Sequence, residues 1–376
     1  MKILIIMHGF FPGNEYGGPP VSVDNFCTLM NEDECYIVTH NHDMKNKTPY
    51  ENVSEGWNDR TNCKVKYLQD KEYNQDTFEQ IIKKVKPDIL YLQGLFQPCI
   101  IPCLKLAKKY AIRVLLAPRG ELCKGAFKKK YKKIPYIVYL RIMKLFATVS
   151  FQSTSFEETE AIKKYLGVQD ERIYSLTNIP SIPKSDYGLK SKETDTAAFI
   201  FLSRIVRKKN LHFALNALKN VSGNVMFDIY GTIEDENYWS ECQGIIDSLP
   251  SNITVNYKGN ANHELVHEIF SKYDAMVFPT QSENFGHVIA EAMFAGCPVI
   301  ISDQTPWNDL QDSNAGWDMP LQESDFVNKM QIVIDMDEKS MSKMRQDTKL
   351  YVKNRFCLDE LRTTYKKSLV AIARLK

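Results

Sequence analysis

Short apolar runs alternate along this chain with longer stretches whose apolar positions recur three and four residues apart. The first pattern predicts buried strands, the second amphipathic helices. In the first half, strands are expected at residues 2–7, 35–39, 88–93, 112–117, 149–153 and 172–176, with helices at 21–30, 78–86 and 157–166. Residues 178–196, NIPSIPKSDYGLKSKETDT, break the alternation with proline, serine and charge, as a linker does. Strands resume at 197–202, 225–230, 253–257, 274–278 and 298–301, and helices at 210–219, 238–249, 263–273 and 286–295. From residue 321 the pattern is mostly helical. Strand–helix alternation of this kind predicts an α/β chain of two Rossmann-like domains facing across a cleft. Their limits are expected at 1–178 and 197–355, with a linker at 179–196 and a last helix, 356–376, packing back on the first domain.

The length, 376 residues, suits two domains. The opening MKILIIMHGF is interrupted by His8 and Gly9 and leads to no small-residue cleavage site, so it predicts a first strand and not a signal peptide. No stretch approaches the roughly 18 apolar residues of a membrane helix. Nine scattered cysteines, without a CxxC pair, fit reduced thiols and a cytoplasmic location.

Chemistry concentrates in the second half. The segment 278–291, FPTQSENFGHVIAE, ends a strand, crosses a polar loop carrying Glu283 and opens a helix carrying Glu291. Phe285, Gly286, His287 and Val288 place backbone N–H groups at that helix start, where anions bind. Two carboxylates beside such a site can accept hydrogen bonds from sugar hydroxyls. Segment 203–210, SRIVRKKN, follows a strand and carries Arg204 and Lys209, which could neutralise a diphosphate without a metal. Each feature alone has a bland reading, as chance spacing or a solvated basic turn.

Taken together, Arg204, Lys209 and a Glu-x7-Glu formed by Glu283 and Glu291 resemble the retaining glycosyltransferases of family 4, with the fold type GT-B. The stretch 283–307, ENFGHVIAEAMFAGCPVIISDQTPW, is similar to bacterial enzymes of O-antigen, capsule or related surface polysaccharide synthesis. The resemblance implies catalytic roles for Arg204, Lys209 and Glu283, with the first two holding the donor diphosphate. It implies that Glu291 binds ribose, that Phe285–Val288 contact sugar and phosphate, and that Tyr257, Gly259 and Asn260 lie where the base is seated. The first domain becomes the acceptor side and the second the nucleotide-sugar-binding domain. The donor is expected to be a UDP-hexose or UDP-N-acetylhexosamine, with no cofactor and no metal.

In the first domain, FFPGNEYGGPP places Gly17 and Gly18 after strand one, where family members have a donor-facing glycine loop. It is not GxGxxG, which argues against a nicotinamide dehydrogenase. APRGE carries Arg119 where many members have a histidine, so Arg119 either touches donor or acceptor or braces the site. Between Lys105 and Lys144 stand thirteen Lys or Arg residues and one acid, densest at Lys128, Lys129, Lys130, Lys132 and Lys133. With aromatic and aliphatic neighbours, that stretch is expected to meet the inner face of an anionic membrane and a lipid-linked saccharide acceptor. A solvated helical face is the alternative, and no nucleic-acid module is visible.

HELVH at 263–267 matches a zinc signature formally but lacks a third ligand, so it is taken as a chance match on an exposed helix. His8, His40, His42, His212 and His287 show no ligand spacing. Two other readings remain open: a sugar-nucleotide epimerase of the same architecture, and a non-catalytic sugar-nucleotide-binding protein.

Overall fold

The computed structural model describes residues 1–13, 15–123, 127, 130–188 and 190–375, leaving aside the side chain of Lys130. The chain divides into two compact units, Met1–Ile179 with Leu358–Lys376, and Pro180–Cys357.

Unit 1 begins β1 (Lys2–Ile6), α1 (Gly18–Leu29), β2 (Glu34–His40), β3 (Trp57–Arg60), β4 (Cys63–Leu68) and α2 (Gln75–Val85). It continues through β5 (Ile89–Gln93), α3 (Ile100–Tyr110), β6 (Arg113–Ala117), α4 (Lys130–Ile142), β7 (Val149–Ser153), α5 (Phe156–Leu166) and β8 (Ile173–Ser175). The sheet order is β3-β4-β2-β1-β5-β6-β7-β8, parallel throughout except for the β3–β4 edge. β5 is buried along its whole length, as its unbroken apolar run requires of a strand covered on both faces. The helix ends carry local signals: Asn74 caps α2, Ser155 caps α5, and Gly167 ends α5 with φ 66°.

Unit 2 contains β9 (Thr196–Leu202), α6 (Leu211–Leu218), β10 (Asn224–Tyr230), α7 (Glu236–Ile246), β11 (Ile253–Tyr257), α8 (Val266–Phe270), β12 (Ala275–Phe278) and α9 (His287–Phe294). β13 (Val299–Ser302), β14 (Gly316–Met319), α10 (Glu323–Asp335) and α11 (Glu338–Arg355) complete it. Its sheet, ordered β11-β10-β9-β12-β13-β14, is parallel in every pairing. The chain therefore winds outward from β9 in one direction and then returns to lay β12 against β9 on the other side. That reversal is the topological switch point of a doubly wound sheet.

Two expectations change. Residues 180–196 join unit 2 ahead of its first strand, because Lys192 is buried there and its Nζ donates to the carbonyls of Glu193 (2.7 Å), Ile334 (3.1 Å) and Thr196. The helix expected at 263–273 is a 3-10 turn, His263–Leu265, followed by the short α8. The last helix, α12 (Leu358–Arg374), clusters with unit 1, where Tyr365, Leu369 and Ile372 enter the core beside Phe26, Tyr91 and Leu176. All nine cysteines are free, and only Cys357 is exposed.

Candidate active site

The switch point of unit 2 brings together the loops after β9 and β12. The Gln281 N–H donates to the Lys208 carbonyl (2.9 Å), and Asn210 Nδ2 donates to the Pro279 carbonyl (2.9 Å). These bonds place the Lys209 ammonium against the Glu283 carboxylate, in an ion pair that is largely buried. Lys209 also sits 5.1 Å from the centre of the Phe278 ring. The sequence separates this pair by more than seventy residues, and the fold closes it.

Gly286 precedes α9 with φ 76°, a backbone that favours glycine. A Cβ there would come within 2.8 Å of Ile289 Cδ1 and 3.2 Å of Trp307 Nε1. Trp307 is buried, and its Nε1 donates to the Phe285 carbonyl at 2.7 Å, holding the turn from beneath. The N–H groups of Ile289 and Ala290 bond back to the Gly286 carbonyl (2.9 and 3.2 Å), so the donors that a helix start can offer an anion are those ahead of Ile289.

One turn into α9, Glu291 is buried and its Oε1 has no hydrogen-bond partner among the described residues. Burial pushes its carboxyl up to about 7. His263 Nδ1 lies 3.8 Å from that oxygen. The first histidine of HELVH therefore borders the site, while the second, His267, is buried with Nε2 3.2 Å from the Ser181 carbonyl oxygen. The exposed helix expected for this motif is thus corrected: the segment is broken after Leu265 and its second histidine faces inward.

Arg204 lies at the end of β9, and its Nη1 donates to both oxygens of Glu234, at 3.0 and 3.1 Å. Glu234 was missed in the sequence because it stands thirty residues away, in the loop after β10. Gly231 makes that approach possible. It has φ 142°, and a Cβ there would fall 1.8 Å from the Ser203 carbonyl oxygen. The same glycine donates its N–H to the Gly259 carbonyl (2.8 Å) and accepts from the Tyr257 hydroxyl (2.9 Å). Tyr257 and Gly259 are thereby tied to the Arg204 loop, and Asn260 follows them on an exposed turn.

In unit 1, Gly17 caps α1 with φ 68° and Gly18 is its first residue. Arg119 is held by its own unit. Its Nε donates to Gln93 Oε1 (2.8 Å), Nη1 to Asn178 Oδ1, and Nη2 to the Tyr91 hydroxyl (3.3 Å). Three of its nitrogens are thus engaged within unit 1. The loop around it is fixed by two acids: Glu158 accepts from the Gly120 N–H (2.7 Å), and Glu121 from those of Leu95 (2.5 Å) and Phe96 (3.2 Å).

The basic stretch divides. Lys128 and Lys129, and the side chain of Lys130, lie outside the described residues. Lys132 is exposed, but Lys133 turns inward over the rings of Phe96 (4.4 Å) and Phe127 (5.4 Å) and donates to the Glu121 carbonyl. Beside the exposed Lys132, Arg141 and Lys144, α4 and the turn after it expose apolar side chains: Tyr131, Ile134, Val138, Ile142 and Met143, with Tyr131 71 % and Ile142 73 % accessible. No described helix is long and apolar enough to cross a membrane.

The remaining histidines also depart from expectation. His40 and His42 converge with Asp70, and one ligand atom from each lies within 4.8 Å of the others. The signal was the His-x-His spacing at the end of β2. Its meaning depended on β4, a strand the alternation had not revealed.

Comparisons with known proteins agree with this geometry. Residues 189–350 match the family model described as glycosyl transferases group 1. A Klebsiella pneumoniae protein, an uncharacterized 41.2 kDa protein in the cps region, is 24% identical over 243 residues, covering 59% of this chain and 62% of its own length. The alignment thus spans less than two thirds of that relative. Among solved structures, Anabaena HepE in complex with UDP and glucose superposes with a TM-score of 0.70 at 14% identity, covering 99% of this chain and 100% of that one. WaaG, a glycosyltransferase involved in lipopolysaccharide biosynthesis, superposes with a TM-score of 0.66 at 12% identity, over 99% of this chain and 100% of that one. Residues 189–350, within unit 2, are thus similar to the glycosyl transferases group 1 family, and the chain as a whole has the GT-B fold of these solved structures.

Proposed function

We propose that this chain is a retaining glycosyltransferase. It moves a hexose or N-acetylhexosamine from a UDP donor to a saccharide acceptor carried on lipid, in bacterial surface polysaccharide synthesis. The observation that carries this reading is the switch point of unit 2, where the Lys209–Glu283 pair, Arg204, the start of α9 and the buried Glu291 lie on adjoining loops. The UDP and glucose in HepE and the lipopolysaccharide role of WaaG support the donor and pathway class.

In this mechanism the bond between the sugar C1 and the diphosphate oxygen breaks as the acceptor oxygen bonds to C1 from the same face. The acceptor proton passes to an oxygen of the departing diphosphate. Negative charge grows on that diphosphate, and Arg204, Lys209 and the N–H groups opening α9 stabilise it without a metal. Lys209 exchanges part of its pairing with Glu283 for phosphate, which frees Glu283 to accept from the sugar hydroxyls. Glu291 accepts from the ribose hydroxyls, which partner its orphaned oxygen. Tyr257, Gly259 and Asn260 seat the base, while Gly17 and Gly18 let backbone approach the phosphates.

The exposed apolar positions of α4, with Lys132 beside them, suit the headgroup region of an anionic membrane on the cytoplasmic side. The test is release of nucleotide diphosphate from a panel of sugar nucleotides, with and without a lipid-linked acceptor preparation and with EDTA present. Acceptor-dependent UDP release that Glu283→Ala abolishes is expected, with a product of unchanged anomeric configuration. Conversion of the donor without acceptor would make the chain an epimerase. Binding without turnover would make it a sugar-nucleotide-binding protein.

A further inference from the structure

We propose that His40, His42 and Asp70 of unit 1 form a binding site for a divalent transition cation of the zinc class, with three protein ligands and one open position.

The site follows from strand register. β2 and β4 are parallel neighbours with His40 opposite Leu68, so the residues just past each strand emerge side by side. His40 ends β2 and His42 follows in a bend that brings the two ring centres within 5.2 Å of each other. Asp70, two beyond Leu68, meets them there. A single carboxylate oxygen, Asp70 Oδ1, lies 2.7 Å from His42 Nε2 and 3.1 Å from His40 Nδ1. Both are shorter than the ~3.3 Å that separates two ligands bound at ~2.0 Å around a tetrahedral ion, so the side chains would open slightly to admit one.

Hydrogen bonding favours a cation at this point. His42 Nδ1 lies 2.7 Å from the Asp43 carbonyl oxygen, which can only accept, so Nδ1 carries the proton. In a neutral imidazole the lone pair is then on Nε2 and points at a carboxylate. A lone pair against an anion is repulsive unless a cation or a proton lies between them. The outer N–H bonded to a backbone carbonyl is also the usual second contact of a histidine that holds a metal. His40 supplies an independent observation. It is 5% exposed, and neither of its ring nitrogens has a hydrogen-bond partner among the described residues. A buried imidazole without partners is costly, and coordination by Nδ1 would satisfy the nitrogen nearest Asp70.

The surroundings fit an open site. His8 packs edge-on against His40 with ring centres 4.6 Å apart, and Tyr73 stacks on it at 3.9 Å, which fixes the ring. Asp70 is exposed and gives access from solvent. Lys47 Nζ, 3.5 Å away, takes the other oxygen, Oδ2, and leaves Oδ1 to the histidines. Two histidines and one carboxylate, with a fourth position for water or a ligand oxygen, make a zinc-type set of the open kind. The site is built entirely from residues of unit 1 and uses none of the residues assigned to the donor, so it does not depend on the glycosyltransferase reading.

The experiment uses full-length protein without a histidine tag, stripped with chelator and titrated with Co2+, then with Zn2+ in competition. Wild type should take up one equivalent of Co2+ with visible ligand-field bands, which Zn2+ then displaces, and one equivalent of Zn2+ should raise the melting temperature. His42→Ala and Asp70→Asn should each weaken uptake by at least about a hundredfold, since losing even a residue that only holds a metal ligand in place costs about 10–100-fold. Asp70 is exposed, so Asp70→Asn reads the site even if His42→Ala fails to fold. Absence of saturable uptake by wild type would overturn the proposal and leave a plain contact between His42 and Asp70. Uptake that persists unchanged in Asp70→Asn would overturn it as well.

Discussion

At the scale of single residues, the site is built from groups held in unfavourable states by their surroundings. Glu291 is one of them. Burial raises its folded value to about 7 from the ordinary 4.5, so its contribution to stability is fully present below pH 4.5 and is lost as the pH rises to about 7. Glu291→Gln should therefore gain stability over wild type between pH 5 and pH 7, with the gain levelling off above that. Urea midpoints at several pH values measure this, and a pH-independent difference would count against a buried, ligand-free carboxyl. Gly286 is another. Gly286→Ala forces a side chain into a left-handed turn against Ile289 and Trp307, and should cost about 1–3 kcal/mol in denaturant unfolding. Trp307→Phe removes the bond to the Phe285 carbonyl and leaves a gap among the rings of Phe285, Tyr351 and Phe356, and should cost about 1–3 kcal/mol in the same measurement.

Among elements, the two ends of the chain depend on each other. α12 inserts Tyr365 into unit 1, where its hydroxyl donates to the Thr177 carbonyl (2.7 Å) and accepts from Gln152 Nε2 (3.1 Å). Tyr365→Phe should lower stability by about 1–3 kcal/mol, because Gln152 and Thr177 keep buried polar groups without that partner. The pattern of apolar positions located most of the strands within a residue or two, since buried parallel strands are continuous apolar runs. It failed at the edges. β3, the edge strand, has only four residues, and the lysines of KVKYL interrupt the apolar run of β4, so the strand that carries Asp70 to the histidines was invisible. It failed again at 263–273, where Asn262 caps a single 3-10 turn and the helical spacing is only apparent. α4 was legible in its charge but not in its orientation: Lys133 looks like its lysine neighbours in sequence, yet Phe96 and Phe127 draw it inward.

For the molecule as a whole, two doubly wound sheets account for where chemistry can occur. Their residues are far apart in sequence and adjacent only because strand order reverses between β9 and β12. Lys209, Glu283 and Glu291 could be picked out from the sequence because charged residues at strand ends and helix starts carry a recognisable pattern. Glu234, which receives Arg204, could not, since an exposed-looking acid in a loop has no signature until β10 places it. The most direct test of the central claim is the binding of nucleotides to the intact protein, read as thermal shift against UDP, GDP, ADP and their sugar conjugates in the presence of EDTA. The account predicts stabilisation by UDP and UDP-sugars that follows ligand concentration, and loss of most of it in Arg204→Ala and Lys209→Ala. No shift with any nucleotide, or an undiminished shift in both variants, would contradict a diphosphate site at the switch point of unit 2.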